Sequence, residues 1–167
     1  MSAKGIRDID VIRTFVLQGT LNFTRYFFKI RQKRKFVIGK HHREIAAALD
    51  KVLCGEITRL IINIAPRYGK TELAVKNFIA EGLAINPKAK FIHLSYSDDL
   101  ARDNSRGVQD IINEPEYRRI FPATIPTSTN TKKWYTTEGG GLYAVSSAGQ
   151  VTGFGAGLVD EEENDEL

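Results

Sequence analysis

Seven consecutive residues, Ala65-Pro66-Arg67-Tyr68-Gly69-Lys70-Thr71, bring together the residue types that hold a chain of phosphates. Such a chain carries several negative charges. A loop running from a buried strand into a helix meets it with backbone N–H groups and with the positive end of the helix dipole. Gly69 lets the backbone come close, Lys70 supplies a point charge for the β- and γ-phosphates of ATP, and the Thr71 hydroxyl ligates the Mg2+ that bridges them. The strict spacing G-x-x-x-x-G-K-[ST] is not met, because Ile64 stands where the first glycine belongs. Gly69-Lys70-Thr71 alone also arises by chance. The competing explanation is an ordinary strand-to-helix turn with an exposed Lys70, and the setting of the tripeptide has to decide between the two.

That setting requires a strand to end, and a helix to begin, at the loop. The run Arg59-Leu60-Ile61-Ile62-Asn63-Ile64 is short, β-branched and nearly continuous in apolar character, as expected of a central parallel strand covered on both faces. Residues 65–69 follow as loop. Residues 70–85 read as a helix with Leu73, Phe78, Ile79 and Leu83 among its buried positions, stopped by Asn86-Pro87. A second buried strand, Lys90-Phe91-Ile92-His93-Leu94-Ser95, completes a βαβ unit. Upstream, Ile45, Ala46, Leu49, Val52 and Leu53 recur at three- and four-residue intervals and predict a helix over 41–55. The aromatic residues between Leu21 and Lys40 fit helical packing only in part. Downstream, residues 98–113 predict a helix with Leu100, Val108, Ile111 and Ile112 apolar. Lys133-Trp134-Tyr135-Thr136 and Gly141-Leu142-Tyr143-Ala144-Val145 then read as paired strands around Gly139-Gly140-Gly141. The pattern is α/β, with a helical lead-in over 1–55 and a nucleotide-binding core over 56–167.

Composition bounds the partners. The 167 residues are 42% hydrophobic and 26% charged, as in a globular domain, and no apolar run reaches the roughly 20 residues that span a bilayer. Met1-Ser2-Ala3-Lys4-Gly5-Ile6-Arg7-Asp8 is too charged to lead into a signal-peptide core, so the expected compartment is the cytoplasm. The single Cys54 excludes an internal disulfide and a cysteine-based zinc site. The net charge of +4 is unevenly spread. Basic residues crowd 25–40, whereas Asp160-Glu161-Glu162-Glu163-Asn164-Asp165-Glu166 is almost wholly acidic. Such a split suits a nucleic-acid surface at one end, or simply two solvated faces.

The departure from the strict loop narrows the choice. Leu60-Ile61-Ile62-Asn63-Ile64-Ala65-Pro66-Arg67-Tyr68-Gly69-Lys70-Thr71-Glu72 resembles the variant phosphate loop of the large terminase subunits of tailed bacteriophages, which lacks the first glycine and carries a Pro-Arg pair. Upstream, His41-His42-Arg43-Glu44-Ile45 through Leu53-Cys54-Gly55-Glu56 is similar to the helix before that loop. Downstream, Ser95-Tyr96-Ser97-Asp98-Asp99-Leu100-Ala101, Glu116-Tyr117 with Phe121-Pro122, and Gly149-Gln150-Val151-Thr152-Gly153-Phe154-Gly155-Ala156-Gly157 follow in the expected order. The resemblance covers about 20–157, and ordered matches are far more specific than the tripeptide.

The resemblance implies a P-loop NTPase-type fold, a mainly parallel sheet flanked by helices. It implies a phage- or prophage-encoded ATPase of the host cytoplasm that drives double-stranded DNA into a procapsid, working as a homo-oligomeric ring with portal and small terminase subunit as partners and with no membrane. Carried over by position, Pro66, Arg67, Tyr68, Gly69, Lys70, Thr71 and Glu72 form the ATP site, Thr71 holds Mg2+, and Arg67 and Lys70 stabilise charge on the transferred phosphoryl oxygens. For Arg67 a structural ion pair at the sheet edge is an equally open role, and Pro66 and Tyr68 are expected to shape the loop. Hydrolysis further needs an acidic pair at the end of an apolar strand. Only Leu158-Val159-Asp160-Glu161 resembles it, yet two apolar residues make a poor buried strand and the following acids read as solvated. The preferred expectation is an incomplete ATPase domain that stops before its acidic strand and lacks the nuclease domain. A nucleotide-binding fragment without turnover and a helicase-like ATPase remain the alternatives. His41 and His42 border the adenine by resemblance, or simply sit on a helix surface; adjacent helical positions diverge, which argues against a metal pair. Ser95 and Ser97 lie where ligands gather at strand ends, with capping of the next helix the plainer role.

Overall fold

The computed structural model describes residues 8–147. It is an α/β arrangement in which helices precede, interrupt and cover a small sheet. The first helices are α1 (Asp8–Val16), α2 (Thr20–Gln32) and α3 (Lys40–Leu53). A π-helical turn over Glu72–Asn77 runs directly into α4 (Phe78–Ile85). Then come β1 (Lys90–Ser95), α5 (Asp98–Asn113), α6 (Pro115–Ile120), β2 (Lys133–Tyr135) and β3 (Gly141–Ser146).

The sheet order is β1-β3-β2, with β3 in the centre. β1 runs parallel to β3, Phe91 opposite Leu142 and His93 opposite Ala144, while β2 runs antiparallel to β3 with Trp134 opposite Leu142. The sheet is therefore mixed, where a mainly parallel one is expected. Phe91, Leu142 and Trp134 share one face by register. That face meets the helices: Phe91 lies against Gly82 of α4, His93 Nε2 sits 3.1 Å from Asn104 Nδ2 of α5, and Trp134 Nε1 donates to Ser105 Oγ of α5 at 2.9 Å. The opposite face is unevenly covered among the described residues, with Val145 of β3 buried and the side chains of β1 open. Ile92 and Leu94 are exposed there, so β1 is not the strand buried on both sides that its composition predicts. At the hairpin, Gly141 approaches so closely that a Cβ would stand 2.2 Å from Trp134 O, which only glycine avoids.

The first two lead-in helices, α1 and α2, belong to the same core. Phe23 and Phe27 lie one helical turn apart on α2, fully buried, with ring centroids 4.6 Å apart. They pack on Tyr117 of α6 and on Phe121 just beyond it. Tyr117 is fully buried and its hydroxyl donates to Ala80 O at 2.8 Å, so the ring contributes its area without leaving a polar atom bare. α5 forms over the predicted 98–113, capped by Ser97 Oγ, which accepts the Leu100 N–H at 3.3 Å. Val108, Ile111 and Ile112 are buried as expected, whereas Leu100 faces outward.

The larger departure is at 59–64, expected to be the central strand. No strand forms there. A strand exists through its ladder partners, and the described sheet ends at β1 without pairing this segment. Ile61 is 86% exposed, whereas Ile62 packs against the small cluster of Ala46, Leu49 and Leu73. No helix among the described residues is long and apolar enough to cross a membrane.

Candidate functional site

The loop at 65–69 is anchored where it enters the helix. There, Leu73 is fully buried against Ala46 and Leu49 of α3, a burial that stabilises by about 1.5–3 kcal/mol. Its N–H donates to Gly69 O at 3.0 Å, the first rung of the helix. Helical residues begin at Lys70, so the amides of Lys70, Thr71 and Glu72 precede that rung and point out of the helix end, as first-turn amides must. The helix continues through the π-turn and α4 for sixteen residues, from Lys70 to Ile85. The π-turn has a local cause: Asn77 Nδ2 donates to Glu72 O at 2.8 Å and to Glu72 Oε1 at 2.9 Å, binding the two ends of one wide turn together.

Backbone conformation inside the loop is unusual twice. Arg67 has φ 68° and Gly69 has φ 73°, so Tyr68 sits between two left-handed residues. For Gly69 this costs little; for Arg67 it stores strain of the kind that gathers at ligand-binding loops. The resulting concavity has a volume near 440 Å³ and is lined by Ala65, Pro66, Arg67, Gly69, Lys70, Thr71 and Glu72. Arg67, Lys70 and Thr71 are exposed to it, and among the described residues neither cation is engaged in an ion pair. Two unpaired cations and a row of amides around one hollow give it an electrostatic environment that favours negative charge.

The predicted site residues divide. Pro66, Arg67, Gly69, Lys70 and Thr71 come together around the hollow. Glu72 lines it too, but its carboxylate is committed to Arg31 of α2 in a largely buried ion pair and to Asn77. Tyr68 is not among the residues lining the hollow, and its ring lies edge-on to His41 at 5.5 Å. The ion pair weighed for Arg67 at a sheet edge does not form among the described residues. Asp160 and Glu161 lie outside the described residues, as does the glycine-rich stretch. No group of three histidine, cysteine or acidic side chains is gathered for a metal among the described residues. A single magnesium held by Thr71 and by phosphate oxygens would not need one.

Two features of the site escape the sequence. The first is Arg31–Glu72, which ties α2 to the residue after Thr71. The second is His42. It is 7% exposed, not a surface histidine, and its ring lies 3.9 Å from that of His41, although neighbouring helical positions are expected to diverge. Its Nδ1 accepts the Gly39 N–H at 2.9 Å, and its Nε2 lies 3.0 Å from Tyr68 O. Burial, and secondarily His41, holds the His42 imidazole below its ordinary titration range. The available signal is the Gly39-x-x-His42 spacing, an N-cap and its third helical residue, where a reaching-back side chain is usual. At the strand end, Ser97 caps α5, as the plainer expectation has it, and Asp98 Oδ1 accepts the Ser146 N–H at 2.9 Å. Searches against protein-family models, curated proteins and solved structures return no match to this chain.

Proposed function

We propose that the chain is the ATP-binding portion of a viral DNA-packaging ATPase of the terminase type, with a P-loop-type nucleotide site at 65–72. The observation that carries the proposal is the hollow itself: unpaired Arg67 and Lys70 and the Thr71 hydroxyl stand around a helix N-terminus on a loop strained at Arg67. The triphosphate of ATP would lie over the amides of 69–72, with Lys70 toward the β- and γ-phosphates, Mg2+ between them and Thr71, and Arg67 facing the transferred group. The family assignment rests on the ordered sequence resemblance over 20–157.

A DNA partner fits the charge of a groove beside α2. Arg25 and Lys29 of α2 and Lys35 rim a groove of about 240 Å³ floored by Phe15, Tyr26 and Phe36, and none of these cations is paired among the described residues. Cations over partly buried rings suit the phosphates and sugars of a nucleic-acid strand. Portal, small subunit and a ring of copies remain part of the proposal through the resemblance alone.

A second reading is nucleotide binding without turnover. Glu72, the carboxylate that lines the hollow, is held by Arg31, so it is not free to activate water. Binding and hydrolysis are therefore measured separately. With Mg2+ and a fluorescent ATP analogue, the wild-type chain binds, and Lys70→Ala weakens binding by about 10- to 100-fold, the loss of one charge-assisted contact. Hydrolysis stimulated by double-stranded DNA supports the motor; binding with no turnover supports the second reading. If wild-type shows no saturable binding at millimolar ATP, the nucleotide site is refuted.

A further inference from the structure

His42 has a geometry that leaves its protonation state little freedom. The Gly39 amide can only donate, so Nδ1, at 2.9 Å, must present a lone pair. The Tyr68 carbonyl can only accept, so Nε2, at 3.0 Å, must carry the proton. One neutral tautomer satisfies both partners at once, and neither the other tautomer nor the imidazolium does. The His41 ring lies directly beside that of His42, its Nε2 3.2 Å from His42 Nε2.

The same ring also sets the path of the loop. A Cβ at Gly69 would stand 2.9 Å from His42 Nε2 and 3.4 Å from the tip of the Phe36 ring, so the loop backbone is laid directly on these two rings. Phe36 in turn lies edge-on to His42 with centroids 4.9 Å apart. The carbonyl that His42 holds belongs to Tyr68, the residue between the two left-handed positions, and Lys70 and Thr71 follow at once. We propose that His42, as the neutral Nε2–H tautomer, is a positioning residue that clamps the Tyr68-Gly69 peptide in the phosphate-accepting conformation, so that nucleotide affinity is lost when the ring gains a second proton. This deepens the nucleotide-site proposal and rests on it.

The clamp is gated by few groups. From its own helix His42 faces His41; from the preceding loop it faces Phe36 and Gly39, both uncharged; from the nucleotide loop it faces Tyr68 and Gly69, of which only the Tyr68 phenol titrates, and that phenol belongs to a ring packed on His41. A proton arriving at Nδ1 sets two N–H groups head to head and releases Gly39, the cap of α3.

The test uses two independent readouts. In the nucleotide-free protein, nitrogen-15 NMR of the histidine ring reports the tautomer. His42 is expected as Nε2–H at pH 7.5, with the Tyr68 and Gly69 amides shifting in step with its titration; the Nδ1–H tautomer overturns the proposal. Binding of a fluorescent ATP analogue with Mg2+ is then followed from pH 8 to pH 5. Wild-type affinity falls about tenfold toward acid. His42→Gln, which keeps a donor in reach of Tyr68 O without titrating, removes that fall and stays near wild-type affinity. His42→Asn keeps the Gly39 contact but is too short for Tyr68, and binds about tenfold more weakly at every pH. An unchanged acid fall in His42→Gln, or wild-type binding by a folded His42→Asn, also refutes the clamp. Absence of nucleotide binding by wild-type at any pH would sink the nucleotide site while the NMR titration still judges the clamp.

Discussion

Two regions of this molecule are built on different principles. Around α5, α6 and the β2–β3 hairpin, large side chains are wholly enclosed and their polar atoms matched: Trp134 with Ser105, Tyr117 with the Ala80 carbonyl, Thr124 with the Leu83 carbonyl. The 57–69 stretch, which delivers the candidate phosphate loop, is the reverse. Its backbone lies outside the described ladder, Ile61 is exposed, and it is tied down by Ile62, by the His42 contact and by the buried Leu73 that follows. A rigid body thus carries a lightly fastened loop, which is the distribution of stability expected where a ligand must enter and leave. It also means that few contacts decide the loop's conformation, so each of them matters more to binding than to folding.

The largest expected effect lies in the packed region. Trp134→Ala opens a cavity and strands Ser105 Oγ, and should cost about 3–5 kcal/mol in urea unfolding, enough to leave a marginal domain partly unfolded. A loss below about 1 kcal/mol would mean that the hairpin is not part of the cooperative core, and the contrast between the regions would fail.

How much of this contrast is legible in the sequence depends on how local its causes are. α5 is legible because its cap at Ser97 and its apolar stripe at Val108, Ile111 and Ile112 are written within sixteen residues. The hairpin is legible from Gly139-Gly140-Gly141 between two β-rich runs. α2 is not, since its buried Phe23 and Phe27 are mixed with the outward Arg25 and Lys29 and only the distant Tyr117 tells them apart. At 59–64 the pattern states what a strand there would bury, but pairing depends on a neighbour that no local pattern supplies. The cationic hollow is legible residue by residue; the His42 clamp is not, because it is made by a carbonyl 26 positions away.

The second effect concerns the joint between the lead-in helices and α4. Glu81 is buried and its Oε2 is without a hydrogen-bond partner among the described residues. Burial, with a smaller push from Asp50, raises its carboxyl from the ordinary 4.5 to about 8. Between these values the folded chain holds a proton that the unfolded chain has released. Its contribution to stability is therefore complete below pH 4.5, falls as the pH climbs, and is gone once the pH has passed 8. Glu81→Gln keeps the shape and cannot ionise. Its thermal midpoint should match wild-type near pH 4.5 and exceed it at pH 9, where its unfolding free energy is higher by an amount on the order of 2–4 kcal/mol. Equal midpoints at both pH values would show Glu81 to be solvated, and the packed region would be looser at this joint than Trp134 implies.

The smallest expected effect is the most discriminating for the loop region. Ile61→Ser removes a side chain that is 86% exposed, so folding stability should change by less than about 0.5 kcal/mol. Hydrogen exchange should agree, with the amides of 60–64 exchanging far faster than those of Leu142 and Ala144 in the centre of the sheet. A cost above about 1 kcal/mol, or protected amides at 60–64, would mean that this stretch is covered and paired in solution. In that case the loop would hang from a true strand, its backbone would no longer rely on His42 and Leu73 for its position, and the weight placed on those two anchors would have to shift to the sheet.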